Sequence, residues 1–265
     1  MPGVTATIIT LNESANLAAA LESVRWADEI IVVDAESTDD TVAVARRYTD
    51  RVTVRPWPGY IDQKNFAAAQ ASHDWIFSLD ADERVTPALA DEIRALVAAG
   101  PACAGFRVPR VSRYLGRWIR STDWYPDYQL RLYDRRRAKW AGRHVHESVR
   151  AEGEVGRLRA DLEHYPYRDV SHHLRTIDRY SSLAARQLFE DGRRTGPLRI
   201  VLHADAAFLR NYLLRGGIRD GAPGLIVSLL NSYYVAMKFV KLWELCSLST
   251  STRPAPGAGD RTRSS

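Results

Sequence analysis

"EIIVVDAESTDDTVAVARRY" occupies residues 29–48. Its first six residues are an apolar, β-branched run that predicts a strand, and "STDDTVAVARRY" (37–48) reads as a helix with Ser, Thr and Asp available to cap it. The same unit recurs on both sides. "TATIIT" (5–10) precedes "NESANLAAALESV" (12–24), where Leu17, Leu21 and Val24 fall at helical spacing behind a capping-type Asn12. "RVTVRP" (51–56) precedes "DQKNFAAAQAS" (62–72), and "WIFSLD" (75–80) precedes "PALADEIRALVAA" (87–99), whose Pro87 suits a first helical turn. Such alternation predicts an α/β fold, a mostly parallel Rossmann-like sheet flanked by helices. Ligands of these sheets bind beyond the carboxyl ends of the strands.

That rule gives the polar residues at the strand ends a common address. The first strand runs into Thr10, Asn12 and Glu13; the second into Asp34, Glu36, Ser37 and Asp39; the fourth into Asp80, Asp82 and Glu83. Each cluster alone is equally a set of helix caps. Together they crowd carboxylates that repel one another unless a cation or donor compensates them. Residues two apart in an extended segment project to one side, so Asp80 and Asp82 can approach one hard cation while Ala81 stays small. Mg2+ or Mn2+ takes one or two protein carboxylates and completes its shell with water and phosphate oxygens.

Composition bounds the alternatives. The chain has 265 residues, 45% of them hydrophobic, enough for a sizeable core. Cys103 and Cys246 lie far apart with no metal-like spacing, and no basic-then-apolar leader follows Met1, so a cytoplasmic location is expected. The formal charge of +5 and pI near 9.3 suit an anionic partner: nucleic acid, an acidic lipid surface or phosphorylated substrates. Nucleic acid fits least, because the arginines are dispersed and no recognition motif is present.

"TLNE", "VVDAESTDDT", "QKNFA" and "SLDADE", in this order, closely resemble the signature stretches of family 2 glycosyltransferases, which have the GT-A nucleotide-sugar-binding fold. "YPDYQLRLYDRRRAKWAGRHVHESV" (125–149) and "RNYLLRGGIRDGAPGLIVSLLNSYYVAMKFVKLWEL" (210–245) resemble the second half of the lipopolysaccharide-core β-1,4-glucosyltransferase subgroup. The resemblance implies an inverting transfer of a sugar, glucose, from a UDP-sugar to a lipid-linked or envelope glycan acceptor. Thr10, Asn12 and Glu13 would line the nucleotide pocket, Asp34 would contact the base, and Ser37 and Asp39 would support that loop. Lys64 would lie near the phosphates, its alternative being an exposed helix lysine. Asp80 and Asp82 match the metal motif, with Asp82 the better direct ligand and Glu83 behind them. Arg131 would contact diphosphate or acceptor, or form a structural salt bridge.

Inverting transfer also needs a general base for the acceptor hydroxyl. Many relatives carry it in a Glu-Asp pair after the core sheet, and no such pair stands in the expected region. "HVHES" (144–148) takes that place, making Glu147 the candidate base and His146 a neighbour that orients it or touches phosphate; Asp127 is second. The alternative for Glu147 is a strand-end carboxylate paired with Arg143 or Arg150.

The reading divides the chain into a catalytic domain (1–165), a helical extension (166–248) and a disordered Pro/Gly/Ser/Thr-rich tail (249–265). "HLRTIDRYSSLAARQLFEDG" (173–192) reads as an amphipathic helix with Leu174, Ile177, Leu183 and Leu188, ended by Gly192. "GLIVSLLNSYYVAMKFVKLWEL" (224–245) is apolar but interrupted by Lys238, Lys241 and Glu244. With Arg210, Arg215 and Arg219 upstream, it fits an interfacial helix on the inner face of an anionic membrane, or else one packed on the catalytic domain or in a homo-oligomer. Two other functions compete: a nucleotidyltransferase, against which "TLNESANL" lacks the Gly-rich basic phosphate loop, and a non-catalytic nucleotide-sugar-binding protein at the membrane surface, against which stand intact Asp80, Asp82 and Lys64.

Overall fold

The computed structural model describes residues 2–142 and 147–251. His146 and the tail from 252 lie outside the described residues. The chain divides into two compact units, one up to Pro166 and one from Tyr167 onward.

The first unit is built on a ten-stranded sheet. β1 (Val4–Thr10) pairs in parallel with β2 (Glu29–Asp34) and with β4 (Trp75–Asp80), and β2 pairs in parallel with β3 (Val52–Val54). Beyond β4 the sheet becomes mixed. β8 (Asp127–Asp134) runs antiparallel to β4, and β6 (Gly105–Tyr114) antiparallel to β8. β12 (Leu162–His164) is parallel to β6, and β5 (Glu83–Val85) closes the order antiparallel to β12. β7 (Arg117–Ile119) and β11 (Val155–Arg157) also pair with β6, while β9 (Ala138–Ala141) and β10 (Ser148–Ala151) form a separate antiparallel pair.

Alternate strand residues feed two cores. Ala6, Ile8, Val32, Phe77 and Leu79 pack with Leu17 and Leu21 of α1 (Ser14–Ser23) and with Leu89 and Ile93 of α4 (Pro87–Ala98). Ile31, Val33 and Ile76 pack instead with Ala67 and Ala68 of α3 (Tyr60–Ala69) and with Trp140 and Val149 of β9 and β10. Burial on both faces explains why these strands read as unbroken apolar runs. α4 begins as its sequence predicts, with Pro87 in the first turn and Thr86 Oγ1 accepting from Leu89 N at 3.2 Å.

Two local expectations change. α2 covers only Thr41–Ala45, because the polar residues ahead of it are used in loop contacts rather than in a helical turn. Asn12 does not cap α1. Glu13 stands at the cap position without a side-chain cap bond, and Asn12 Oδ1 instead accepts from Thr38 N at 2.9 Å.

In the second unit α5 (Val170–Glu190) starts at Asp169, whose carboxylate accepts from His172 N at 2.6 Å, and is followed by Gly192 at φ 74°. Its buried residues are His173, Ile177, Ser181 and Ala185, a stripe at four-residue spacing, and Leu174 is exposed. The small residues of this stripe admit close packing by α7 (Gly221–Ser251), whose Lys241 Nζ donates to Asp178 Oδ1, Ser181 Oγ and Ser182 Oγ at 2.6, 2.9 and 2.8 Å. α7 therefore starts before residue 224 and continues past the 249 boundary. Between α5 and α7 lie α6 (Pro197–Leu209), a π-helical turn (Arg210–Leu214) and a 3-10 turn (Gly217–Asp220). Gly224 is required where the chain enters α7: a Cβ there would stand 2.0 Å from Gly217 O. Among the described residues, one helix, within 217–248, is long and apolar enough to cross a membrane.

Candidate functional site

Strand register brings the polar ends together. Thr10 pairs with Asp34 across β1 and β2, and Ile9 with Asp80 across β1 and β4. On the mixed side Arg110 pairs with Asp127, and His164 pairs with Ser112 on one side and Glu83 on the other.

The loop after β2 is organised by Asp34, which is fully buried. Its Oδ2 accepts from Thr10 Oγ1 at 2.9 Å and Ser37 Oγ at 2.6 Å, and its Oδ1 accepts from Ser37 N at 2.8 Å. Ser37 Oγ in turn accepts from Asn12 N at 2.8 Å. Asn12 adopts φ 55°, a left-handed conformation that Asn tolerates. Asp39 accepts from Thr41 N at 3.0 Å and Ser14 N at 3.2 Å, and Thr41 Oγ1 also donates to it. These bonds, the Thr41 hydroxyl first among them, hold the Asp39 carboxyl down at about 2. Glu13 N donates to Thr41 Oγ1 at 2.8 Å, so the first two strand-end loops form one hydrogen-bonded wall.

The charged half of the site is centred on Asp80. Lys64 Nζ lies 3.0 Å from Asp80 Oδ1, and Arg131 bonds Asp80 Oδ2. Burial raises the Asp80 carboxyl, but Arg131 and then Lys64 outweigh it and hold the group far below the usual carboxylate range. Lys64 is buried, with its ammonium 4.1 Å from the Trp140 ring centroid, so it is not the exposed helix lysine. Asn65 and Trp140 fix that arrangement by reciprocal bonds of 2.9 and 3.0 Å between side-chain amide and main chain. Glu83, fully buried, accepts from Asp80 N at 3.0 Å, from Arg110 at 2.9 Å and from Arg131. Arg110 continues to Asp127 Oδ2 through its Nε and Nη2 at 2.9 and 2.6 Å, while Gln129 Nε2 donates to Asp127 Oδ1 at 2.6 Å. Burial opposes the Arg131 charge, yet Asp80 and Glu83 push its pKa above the ordinary value.

Asp82 stands apart from this neutralised network. His164 Nε2 lies 3.3 Å from Asp82 Oδ2, and the other ring nitrogen, Nδ1, is 3.0 Å from Ser112 Oγ. Sequence reading missed His164 and Ser112, which lie about eighty and thirty residues beyond Asp82 in the chain and meet it only through β12 and β6. Among the described residues no group of three or more His, Cys, Asp or Glu side chains gathers for a metal ion. A carboxylate beside an imidazole whose far nitrogen is held is nonetheless a donor set that a transition-metal cation such as Mn2+ can use when phosphates and water complete the shell, while Mg2+, which takes oxygen ligands, would use Asp82 alone.

Glu147 is half-buried just before β10, where Ser148 pairs with Ala141 and Val149 with Trp140. It thus sits at one end of the two-stranded ribbon whose tryptophan covers Lys64.

The polar rim at the carboxyl ends of the parallel strands, its carboxylates neutralised by Lys64, Arg110 and Arg131, is where ligands of open α/β sheets bind. The glycosyl transferase family 2 model matches residues 5–152, and the chain belongs to that family. The lipopolysaccharide core biosynthesis glycosyltransferase LpsC of Rhizobium meliloti is 33% identical over 244 residues, 89% of this chain and 90% of that protein. An uncharacterised glycosyltransferase of Rickettsia prowazekii is 31% identical over 90% of this chain and 86% of its own length. Among solved structures, a mannosyltransferase from Pyrobaculum calidifontis in complex with GDP-Man and Mn2+ shares the fold, with a TM-score of 0.53 and 18% identity over 92% of this chain and 88% of that one.

Proposed function

We propose that this glycosyltransferase moves glucose from UDP-glucose, with inversion, to a saccharide of the lipopolysaccharide core or a related envelope glycan assembled on a lipid at the cytoplasmic membrane. Similarity to LpsC along nearly the whole of both chains supports the acceptor class. The observation that carries the chemistry is the contrast within the Asp-Ala-Asp triplet: Asp80 is neutralised by Lys64 and Arg131, whereas Asp82 faces His164.

Asp82 and His164 would hold a divalent cation, which supplies charge neutralisation for the departing diphosphate. Lys64 adds a buried ammonium held on the neighbouring Asp80, strengthened by exclusion of water. Thr10, Asn12, Glu13, Asp34, Ser37 and Asp39 form the wall against which the nucleoside rests, preorganised by its own hydrogen bonds. Glu147 takes the proton of the acceptor hydroxyl as its oxygen bonds the anomeric carbon and the bond to the diphosphate breaks. Asp127 is the weaker base because Arg110 and Gln129 already engage both its oxygens, which suits a carboxylate that orients.

Calorimetric titration with UDP, GDP and ADP, in Mn2+ and then in EDTA, tests the donor. Metal-dependent preference for UDP is expected; preference for GDP would redirect the donor to a GDP-sugar. Transfer from UDP-glucose to a lipid-linked core acceptor is the second expected result. Nucleotide binding with no transfer to any glycan would leave a binding protein.

A further inference from the structure

The helical unit presents an apolar face that none of its own helices covers. α6 is preceded by Gly196 and opens on Pro197, and its side chains divide sharply. The inner side meets α7: Ser232 Oγ donates to Ala204 O at 2.8 Å, and the His203 and Phe239 rings lie 4.5 Å apart. The outer side carries Leu198, Val201, Leu202 and Leu209 at spacings that keep one helical face, and the π-helical turn extends it with Leu213 and Leu214. All six are exposed, Leu198 at 72% and Leu214 at 83%, and no residue of α6 is buried. A contiguous apolar face of this extent left in water marks a contact site.

Charge selects the occupant. Arg193, Arg194 and Arg199 stand exposed at the start of this face, and the one acidic residue of α6 is Asp205. A second copy of the same face would bring these cations against each other, whereas an anionic bilayer attracts them. Length excludes a span by α6: its 13 residues rise about 20 Å, short of the roughly 30 Å hydrocarbon layer, and Arg199 and Asp205 interrupt them.

We infer that α6 and the turn to Leu214 lie flat in the headgroup boundary of an anionic membrane, with the leucines inserted and the flanking arginines on lipid phosphates. The 224–245 segment packs against α5 and α6 but keeps Leu229, Tyr233, Val240 and Trp243 exposed, so residues 197–214 add to its apolar surface rather than replace it. This deepens the membrane-surface part of the proposed function and rests on it.

Flotation of the full chain with phosphatidylglycerol/phosphatidylethanolamine vesicles, compared with phosphatidylcholine vesicles, tests the inference. The wild-type chain should float with the anionic vesicles only. Leu202→Glu combined with Leu214→Glu should weaken binding at least about tenfold, and Arg199→Glu should weaken it about fivefold or more with a reduced response to salt. Unchanged binding of these variants, or equal wild-type binding to both vesicle types, would overturn it. So would conversion of a dimer to monomer by the double substitution, read by sedimentation velocity, with vesicle binding intact. Calorimetric UDP binding of the double variant should equal that of the wild type. A wild-type chain that floats but binds no nucleotide would sink the donor reading and leave the membrane face standing.

Discussion

His164 presents Nε2 to Asp82 Oδ2 at 3.3 Å, from a strand about eighty residues further along the chain. β12 can bring it there because it lies between β6 and β5, and Ser112 on β6 holds the opposite ring nitrogen. The pair resembles a metal-binding set in which the neighbouring hydroxyl orients the imidazole.

If that pair holds the cation, Asp82→Ala and His164→Ala should each remove the Mn2+ dependence of UDP binding. Ser112→Ala should leave the imidazole in place but unaligned and lower apparent Mn2+ affinity about tenfold. Titration of Mn2+ at fixed UDP measures all three. An unchanged Mn2+ requirement in His164→Ala would remove the histidine from the site.

Arg131 answers a different question, that of stability. It is buried against Asp80 and Glu83, so Arg131→Ala leaves two carboxylates facing one another with only Lys64 and Arg110 for compensation. Breaking such a network costs about 3–5 kcal/mol. Urea unfolding should register that loss, and Arg131→Met should behave similarly because packing volume does not replace the charge. A loss under about 1 kcal/mol would mean that water already screens these groups.

The choice of base is open to single-turnover kinetics. Glu147→Gln should lower the rate of the chemical step about a hundredfold or more while leaving UDP affinity near wild type. Asp127→Asn should act mainly on acceptor affinity, since it disturbs the Arg110 contact. The reverse pattern would assign the proton to Asp127.

In the helical unit His173 is buried and stacked on Tyr167 at 3.9 Å between ring centroids. Burial first, and the His172 charge second, push its imidazole down to about 4. The unfolded chain binds this proton from about pH 6.5 downward and the folded chain does not until about pH 4, so stability falls as pH drops through that window. From pH 7 to pH 5 this one group should cost about 2 kcal/mol, and His173→Phe should remove that part of the pH dependence in urea unfolding. Parallel pH profiles for the two proteins would mean that His173 is protonated without penalty.

The parallel half of the sheet was legible from local pattern. "EIIVVD" and "WIFSLD" match β2 and β4 residue for residue, because strands buried on both faces must be continuously apolar and must end where the polar rim begins. The rim residues Thr10, Asp34 and Asp80 were legible for the same reason, each being the first polar group at the end of its strand. The mixed half was not. Nothing local states that β8 will return between β4 and β6, or that β12 will fall beside β5, since strand order is decided by long-range pairing whose partners are distant in the chain. Arg110, Ser112 and His164 therefore entered the site only through the tertiary structure. The same holds in the helical unit, where the sequence pattern drew attention to 224–245, while the open apolar face of α6 appeared only once the packing of α5, α6 and α7 was known. By itself the sequence determined periodicity, composition and the polar ends of consecutive strands, which are properties of neighbouring residues. Which carboxylate is neutralised, which meets an imidazole and which apolar face stays uncovered were decided by the tertiary structure, because each depends on what a distant segment brings into contact.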